Sequence, residues 1–397
     1  MFRKRIGSLV ARAFCLGGAV LPAATCFAGE AIKIGAVLPF SGPATNWGVN
    51  LAGAVEILAG EINATGGLAV AGEKHLIEIT RYDDKYTASE AVAAANRLIY
   101  NDGIKYALTL GSASTTAITP LATENKVLIL TSAFSPQTMQ KDAPYTFRYI
   151  MPSTEFAYPQ IKWVAEKLRI KKAGALAPND ETGQTLARDL TKSYSESGIQ
   201  MTVEFFTRDR VDFVPLLTRL MSAGVESIDL SGNSPATGGQ IVKQAREAGF
   251  KGPIINTGGE ATRDIINVAG VTASDGLYVH LPANLTNADI VALAEKFQKK
   301  FGIPMSAAAA AQYAGAQLLF KAIQKAGTIN DIPAVTKALE SLAGEATILG
   351  PVNWVRGNEY SGAVYGNGHQ MMYPFYIGKV KDGAITIAAS CTPQACE

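Results

Sequence analysis

Short β-branched apolar runs alternate with longer stretches of helical spacing from residue 31 to about residue 281, and this alternation narrows the fold more than any motif does. "AIKIGAVLPF" reads as a strand followed by a turn, "SGPATNWG". "NLAGAVEILAGEINATGG" repeats apolar residues every three or four positions and stops at Gly66-Gly67. "KHLIEITRYDD", "IKYALTL" and "VLILTSA" read as further strands. Helices are predicted over "ASEAVAAANRLIYNDG" and "TAITPLATENK", the second with Pro120 near its first turn. The same beat resumes after Pro152: helices in "YPQIKWVAEKLRI", "GQTLARDLTKSYSESG", "FVPLLTRLMSAGV" and "GGQIVKQAREAG" separate strands in "KAGALAP", "QMTVEFF", "ESIDLSG" and "GPIINTGG". Helices of about a dozen residues between strands mean βαβ units and a mostly parallel sheet. Two successive sets predict an α/β protein of two similar lobes. Residues 287–346 read as mainly helical, and the end as short strands joined by turns.

The first 28 residues stand outside this pattern. Arg3, Lys4 and Arg5 precede an apolar stretch, Ala13 to Ala24, and Ala28 offers a small residue for cleavage. A basic head, a short apolar middle and a small-residue exit describe a secretory signal peptide, with the mature chain starting near Gly29. The stretch is shorter than the roughly 20 residues that span a bilayer. Arg3, Lys4, Arg5 and Arg12 leave with it and no acid does, so these four charges turn the whole-chain net charge of +2 into −2. The mature chain has no basic excess to attract nucleic acid. Of four cysteines, Cys391 and Cys396 remain, and two cysteines closing a small loop in an exported chain predict a disulfide.

Enzyme motifs fail one by one. Around "GSASTT" the pattern G-x-S-x-G finds Ala113 where the nucleophile belongs and Thr115 where the second glycine belongs. No segment fits a phosphate-binding loop, and "GNGHQM" has Met371 in place of the last glycine of a dinucleotide fingerprint. His75, His280 and His369 lie far apart in sequence and read as lone surface histidines. Asp83-Asp84 read as a solvated strand end rather than a metal site. No catalysis, cofactor or metal is expected.

A different chemistry suits "GSASTTAITP", residues 111–120, where a strand hands over to a helix. In open α/β sheets ligands bind beyond the carboxyl ends of the strands. A helix starting near Thr115 presents free amides, and Ser112, Ser114 and Thr115 add hydroxyls, a site for a carboxylate held without a cation. Plain capping by Ser114 or Thr115 explains the same residues equally well. Ser135 ends the next strand beside Ala133 and Phe134, Trp47 follows the first strand, and Glu260 in "NTGGEA" follows a strand of the second set. Donors on one lobe and an acid on the other suit a zwitterion, but on residue chemistry alone a solvated loop acid is the more ordinary reading of Glu260.

With "IGAVLPFSGPATNWG", "GAVEILAGEINATGG", "RYDDKYTASEAVAAANRLIYNDGIKY", "QIVKQAREAGF" and "VAGVTASDGLYV" in place, the chain resembles the periplasmic leucine/isoleucine/valine-binding proteins, the type I solute-binding proteins of ABC importers, over nearly its whole mature length. The resemblance implies two α/β lobes joined by three crossovers, residues 29–152 with 283–352 and residues 153–282 with 353–397, closing on a ligand in the cleft. It implies a carboxylate cradle at Ser112, Ala113 and Ser114 or Thr115, continued by Ala133, Phe134 and Ser135, and an ammonium-binding acid at Glu260. Trp47 keeps the family's aromatic after the first turn, whereas Thr182 and Ser234 stand where the family often has tyrosines. Losing two rings widens or polarises the pocket. The expected ligand is a small carboxylate, an amino acid of branched-chain type first and an aromatic or other organic acid without an ammonium second. The expected setting is the periplasm, with a monomer delivering to a membrane permease; a ligand sensor for a membrane receptor is the rival role.

Overall fold

The computed structural model describes residues 29–258, 260–358 and 363–397; the signal-peptide reading falls on residues outside these. Seven strands open the chain: β1 Ile32–Leu38, β2 Leu68–Val70, β3 Glu73–His75, β4 Ile77–Asp83, β5 Tyr106–Leu110, β6 Leu128–Ser132 and β7 Thr146–Arg148. Five follow in the second set: β8 Lys172–Pro178, β9 Gln200–Phe206, β10 Ser227–Asp229, β11 Ile254–Asn256 and β12 Tyr278–Leu281. The tail adds β13 Glu345–Thr347, β14 Gly350–Val355, β15 Gly357–Asn358, β16 Ala363–Val364, β17 Gln370–Met372, β18 Phe375–Lys381 and β19 Ala384–Cys391.

Helices fill the intervals. In the first lobe these are α1 Thr45–Ala64, α2 Ala88–Asn96 and α3 Ser112–Glu124. In the second they are α4 Ser153–Leu168, α5 Glu181–Glu196, α6 Val214–Ser222, α7 Pro235–Glu247, α8 Thr262–Ala269 and α9 Val271–Ser274. The chain then forms α10 Ala288–Phe301, α11 Ala307–Ala326 and α12 Ile332–Glu340, with α11 lying against α1.

The strands sort into two main sheets, in the orders β13-β14-β17-β7-β6-β5-β1-β4 and β19-β18-β12-β11-β10-β8-β9. Each centre is parallel and each carries antiparallel strands at the tail-derived edge. Central β5 and β6 are buried at every position because helices cover both faces. Edge strand β9 is half exposed.

The chain crosses from the first sheet to the second after β7, returns after β12, and crosses a third time between Met372 and Phe375. The expected last boundary at residue 352 is therefore corrected. Gln370 of β17 registers with Arg148 of β7, which keeps the chain in the first sheet for about twenty further residues. The tail folds back as the β18–β19 hairpin, and Cys391 and Cys396 are disulfide-bonded.

Two local expectations also change. Trp47 lies in the first turn of α1 rather than in a loop. Helix α3 begins at Ser112, not near Thr115, so Pro120 sits in its interior and the helix forgoes one backbone bond there. Gly111 precedes α3 with φ 87°, and a Cβ on it would meet the Tyr86 ring at 2.9 Å.

The two lobes repeat one tight contact. A Cβ on Gly48 of α1 would lie 2.0 Å from the Pro39 carbonyl oxygen, and a Cβ on Gly183 of α5 the same distance from that of Pro178. Each helix starts almost in contact with the strand end that feeds it. Helix propensity alone favours alanine over glycine by up to about 1 kcal/mol. The overlap with backbone outweighs this, and Gly48→Ala or Gly183→Ala should destabilise by about 1–3 kcal/mol. Thermal unfolding checks the sign: a raised midpoint contradicts the contact.

Candidate ligand-binding site

A cavity opens where the carboxyl ends of both sheets face each other. Its wall takes one residue after each of eight strands: Trp47, Tyr86, Gly111 and Phe134 follow β1, β4, β5 and β6, and Thr182, Gly232, Glu260 and Pro282 follow β8, β10, β11 and β12. Leu51, Leu110, Ser132, Ile150, Phe156, His280, Ser306 and Ala308 complete the lining.

The wall is mostly rings. Trp47 and Tyr86 stand 6.0 Å apart, Phe134 meets Phe156 edge-on at 6.1 Å, and Phe156 stacks on His280 at 4.1 Å. Such walls favour a flat or apolar ligand body.

Of the expected carboxylate cradle only Phe134 lines the cavity; Ser112, Ala113, Ser114, Thr115, Ala133 and Ser135 lie behind its wall, where amides gather. The backbone N–H groups of Phe134 and Ser135 both donate to the Ser112 hydroxyl oxygen, at 3.3 and 3.0 Å. Two consecutive amides converging on one oxygen form a concavity that suits an anion. The Ser112 amide itself donates to the Thr182 hydroxyl of the opposite lobe at 3.0 Å. The amides of Ala113 and Ser114 have no protein partner among the described residues.

The other hydroxyls of the motif do local work. Thr115 Oγ1 links Thr109 and Thr131 inside the sheet, 2.9 Å from each, so its hydroxyl turns away from the cleft. The Ser135 hydroxyl accepts from the Gln137 amide at 3.2 Å and caps a short turn. The Ala133 carbonyl accepts from Arg148. Ser234 precedes α7, bonds Thr237 at 2.8 Å and lies outside the cavity lining.

Glu260 reaches the cavity wall with both oxygens engaged. Oε1 accepts from the Thr262 amide at 2.9 Å, and Oε2 accepts from the amides of Ala307 and Ala308, at 2.5 and 3.4 Å, in the first turn of α11. Burial raises its pKa, and these amide bonds oppose the rise. The acid thus fastens the second lobe to the helix that returns to the first.

Further contacts bridge the cleft. Thr116 donates to Glu181 at 3.3 Å and the Asn46 amide group to Asp264 at 2.8 Å. The Arg208 guanidinium lies 4.6 Å from the centre of the Tyr86 ring while bonded to Asp180. The lobes are closed on each other in this conformation.

Comparison with known proteins agrees with this architecture. The family described as "Periplasmic binding protein" matches residues 31–384. The chain belongs to that family. A Leu/Ile/Val-binding protein of Citrobacter freundii is 30% identical over 346 residues, covering 84% of this chain and 89% of its own. A leucine-binding protein of Thermotoga maritima superposes with a TM-score of 0.76 at 24% identity, over 91% of this chain and 99% of its own. A solute-binding protein of an ABC transporter from R. palustris, crystallised with benzoate, gives 0.77 at 19% identity, over 92% and 97%. Among the described residues no helix is long and apolar enough to cross a membrane.

Within this family fold, several expectations need correcting. All three histidines are buried. His75 bonds the Glu30 carbonyl at 2.8 Å. His369 stacks on Phe147 and bonds Glu340 at 2.7 Å. His280 lines the cavity with Nδ1 3.2 Å from Gln160 Oε1, and burial lowers its pKa to about 3, so the ring is neutral. Asp84 is not solvated but fully buried. Tyr86 and Phe156 were not singled out by sequence reasoning, and His280 was read as a surface residue rather than a cavity residue. "DDKYT" held the one cue, an aromatic three residues past the end of β4, but the left-handed turn at Lys85 and Tyr86 that carries the ring inward leaves no mark in residue type.

Asp84 shapes that turn, since its Oδ1 accepts from the Tyr86 amide at 2.9 Å. Burial raises its pKa from 3.8 to about 6, against hydrogen bonds from the Tyr86 amide and the Ser114 hydroxyl. The folded chain therefore holds a proton that the unfolded chain releases. The resulting stability is fully present below about pH 4 and is lost as pH rises to about 6, on the order of 2–3 kcal/mol in all. Asp84→Asn should flatten this part of the stability-against-pH profile, read by urea unfolding at several pH values; an unchanged slope contradicts the burial argument.

Proposed function

We propose that the chain is an exported solute-binding protein that captures a small ligand with one carboxylate and an apolar, ring-sized body, and delivers it to the membrane permease of an ABC-type importer. Binding makes and breaks no covalent bond. The observation that carries the reading is a cavity walled by the rings of Trp47, Tyr86, Phe134 and Phe156, whose lining residues Gly111 and Phe134 adjoin the amides of Phe134 and Ser135 that converge on the buried Ser112 hydroxyl. The carboxylate takes the acceptor place that the Ser112 hydroxyl oxygen now fills, and the rings enclose the body.

The state of Glu260 turns the ligand reading toward an acid without an ammonium. Its two oxygens already accept from three backbone amides, so the carboxyl group has hydrogen-bond partners without a ligand ammonium. The benzoate held by the R. palustris protein is of this ligand type. A second reading, an amino acid of leucine, isoleucine or valine type, is favoured by the place of Glu260 in the cavity wall and by the ligands named for the Citrobacter freundii relative.

Glu260→Gln is a poor discriminator here, because the new amide would face the donors of α11. Matched ligands on the unaltered mature chain, residues 29–397, separate the readings instead. Thermal shifts are compared for phenylalanine and 3-phenylpropanoate, for leucine and 4-methylpentanoate, and for benzoate. A ligand that binds only the folded state adds about 2.7 kcal/mol at a hundredfold excess over its dissociation constant. The nitrogen-free acids should stabilise at least as strongly as their amino acids. Shifts confined to the amino acids would reverse the assignment and give Glu260 the ammonium.

A further inference from the structure

Among the described residues Arg148 is the bulkiest side chain closed off from water, 1% exposed at the end of β7. Its Nη1 donates to three successive carbonyls, those of Ala133, Phe134 and Ser135, at 3.1, 3.2 and 3.4 Å. Its Nε donates to Gln370 Oε1, and the amide nitrogen of Gln370 in turn donates to the carbonyls of Ile150 and Met371. The Tyr365 ring lies 5.2 Å from the guanidinium and its hydroxyl donates to Glu155. Burial lowers the pKa of Arg148 to about 10, which leaves it charged at neutral pH.

Peptide geometry links this cation to the ligand site. The carbonyl of one residue and the amide of the next belong to one planar unit and point in opposite directions. Turning the Ala133 and Phe134 carbonyls toward Arg148 turns the Phe134 and Ser135 amides away from it, and these are the two amides that meet at Ser112 Oγ. The third unit ends in Pro136, which has no amide to place.

We propose that Arg148 is the positioning residue of the carboxylate site: it holds the 133–135 loop with its amides converged and ties that loop to the hinge through Gln370, Tyr365 and Glu155. The cation never touches the ligand. It orients the peptide units and polarises them, so that their N–H ends carry more positive character toward an incoming anion. The inference rests on the carboxylate reading given above.

The test uses Arg148→Lys and Arg148→Met in the mature chain. Titration calorimetry compares benzoate with benzamide and leucine with leucinamide, pairs that differ in the carboxylate. In the wild type the acid should bind at least tenfold more tightly than its amide. Arg148→Met should erase most of that ratio, with less than threefold change for the amide, and Arg148→Lys should keep part of it. An equal loss for both members of a pair would make Arg148 a packing residue and overturn the proposal.

A second readout needs no ligand. Amide hydrogen exchange at Phe134 and Ser135 should quicken at least tenfold in Arg148→Lys while central β5 and β6 keep their protection; unchanged exchange at the two amides overturns the proposal. If the wild type binds neither acid, the ligand reading fails on its own and exchange still decides the role of Arg148. The Lys variant retains a buried cation and serves if the Met variant does not fold.

Discussion

Parallel strands end together, and that constraint organises the whole molecule. In each sheet the strand ends and the helix starts that follow them fall on one edge, and the three crossovers set those edges against each other. Eight strand ends then contribute to one cavity without any single loop having to be long. The edge is also where helix amides lack intrahelical partners. A cleft built this way offers hydrogen-bond donors before any charged side chain is added.

The protein uses that property twice. Glu260 shows it with an internal carboxyl group, buried and held by the first amides of α11 and by the Thr262 amide, with no cation among its hydrogen-bond partners. The convergence at Ser112 repeats the arrangement with a hydroxyl oxygen in the acceptor place. None of the described residues lining the cavity carries a positive charge, since His280 is neutral and Arg208 is stacked outside on Tyr86 and bonded to Asp180. Stabilisation of a bound anion is left to dipoles fixed in place, which spares the cost of desolvating a cationic side chain beside it. The ring walls then select the body of the ligand by shape.

The layers of the fold were legible because a parallel strand buried on both faces must be apolar throughout, as β5 and β6 are, and the helices between must alternate. The sheet that β17 joins was not legible: three residues between turns carry no pattern that names a partner, and its place depends on Gln370 meeting Arg148 from far along the chain. At the site, the strand-end logic and the family resemblance brought Trp47, Phe134, Thr182 and Glu260 to one cavity. The role of each hydroxyl was not readable, because a serine or threonine near a helix start can point to ligand, cap or core. Thr115 points to core and Ser135 caps a turn. Arg148 was invisible for a related reason: a lone arginine in a strand reads as an edge or surface residue until three carbonyls are found around it.

The central claim is that a carboxylate replaces the Ser112 hydroxyl oxygen at two converging amides between ring walls. A crystal structure of the mature protein with whichever carboxylate stabilises it most tests this directly. The account predicts a carboxylate oxygen at hydrogen-bond distance, about 2.7–3.1 Å, from the amides of Phe134 and Ser135, with the ligand body between Trp47, Tyr86 and Phe134. A ligand whose carboxylate lies elsewhere, with Ser112 still holding both amides, would contradict it.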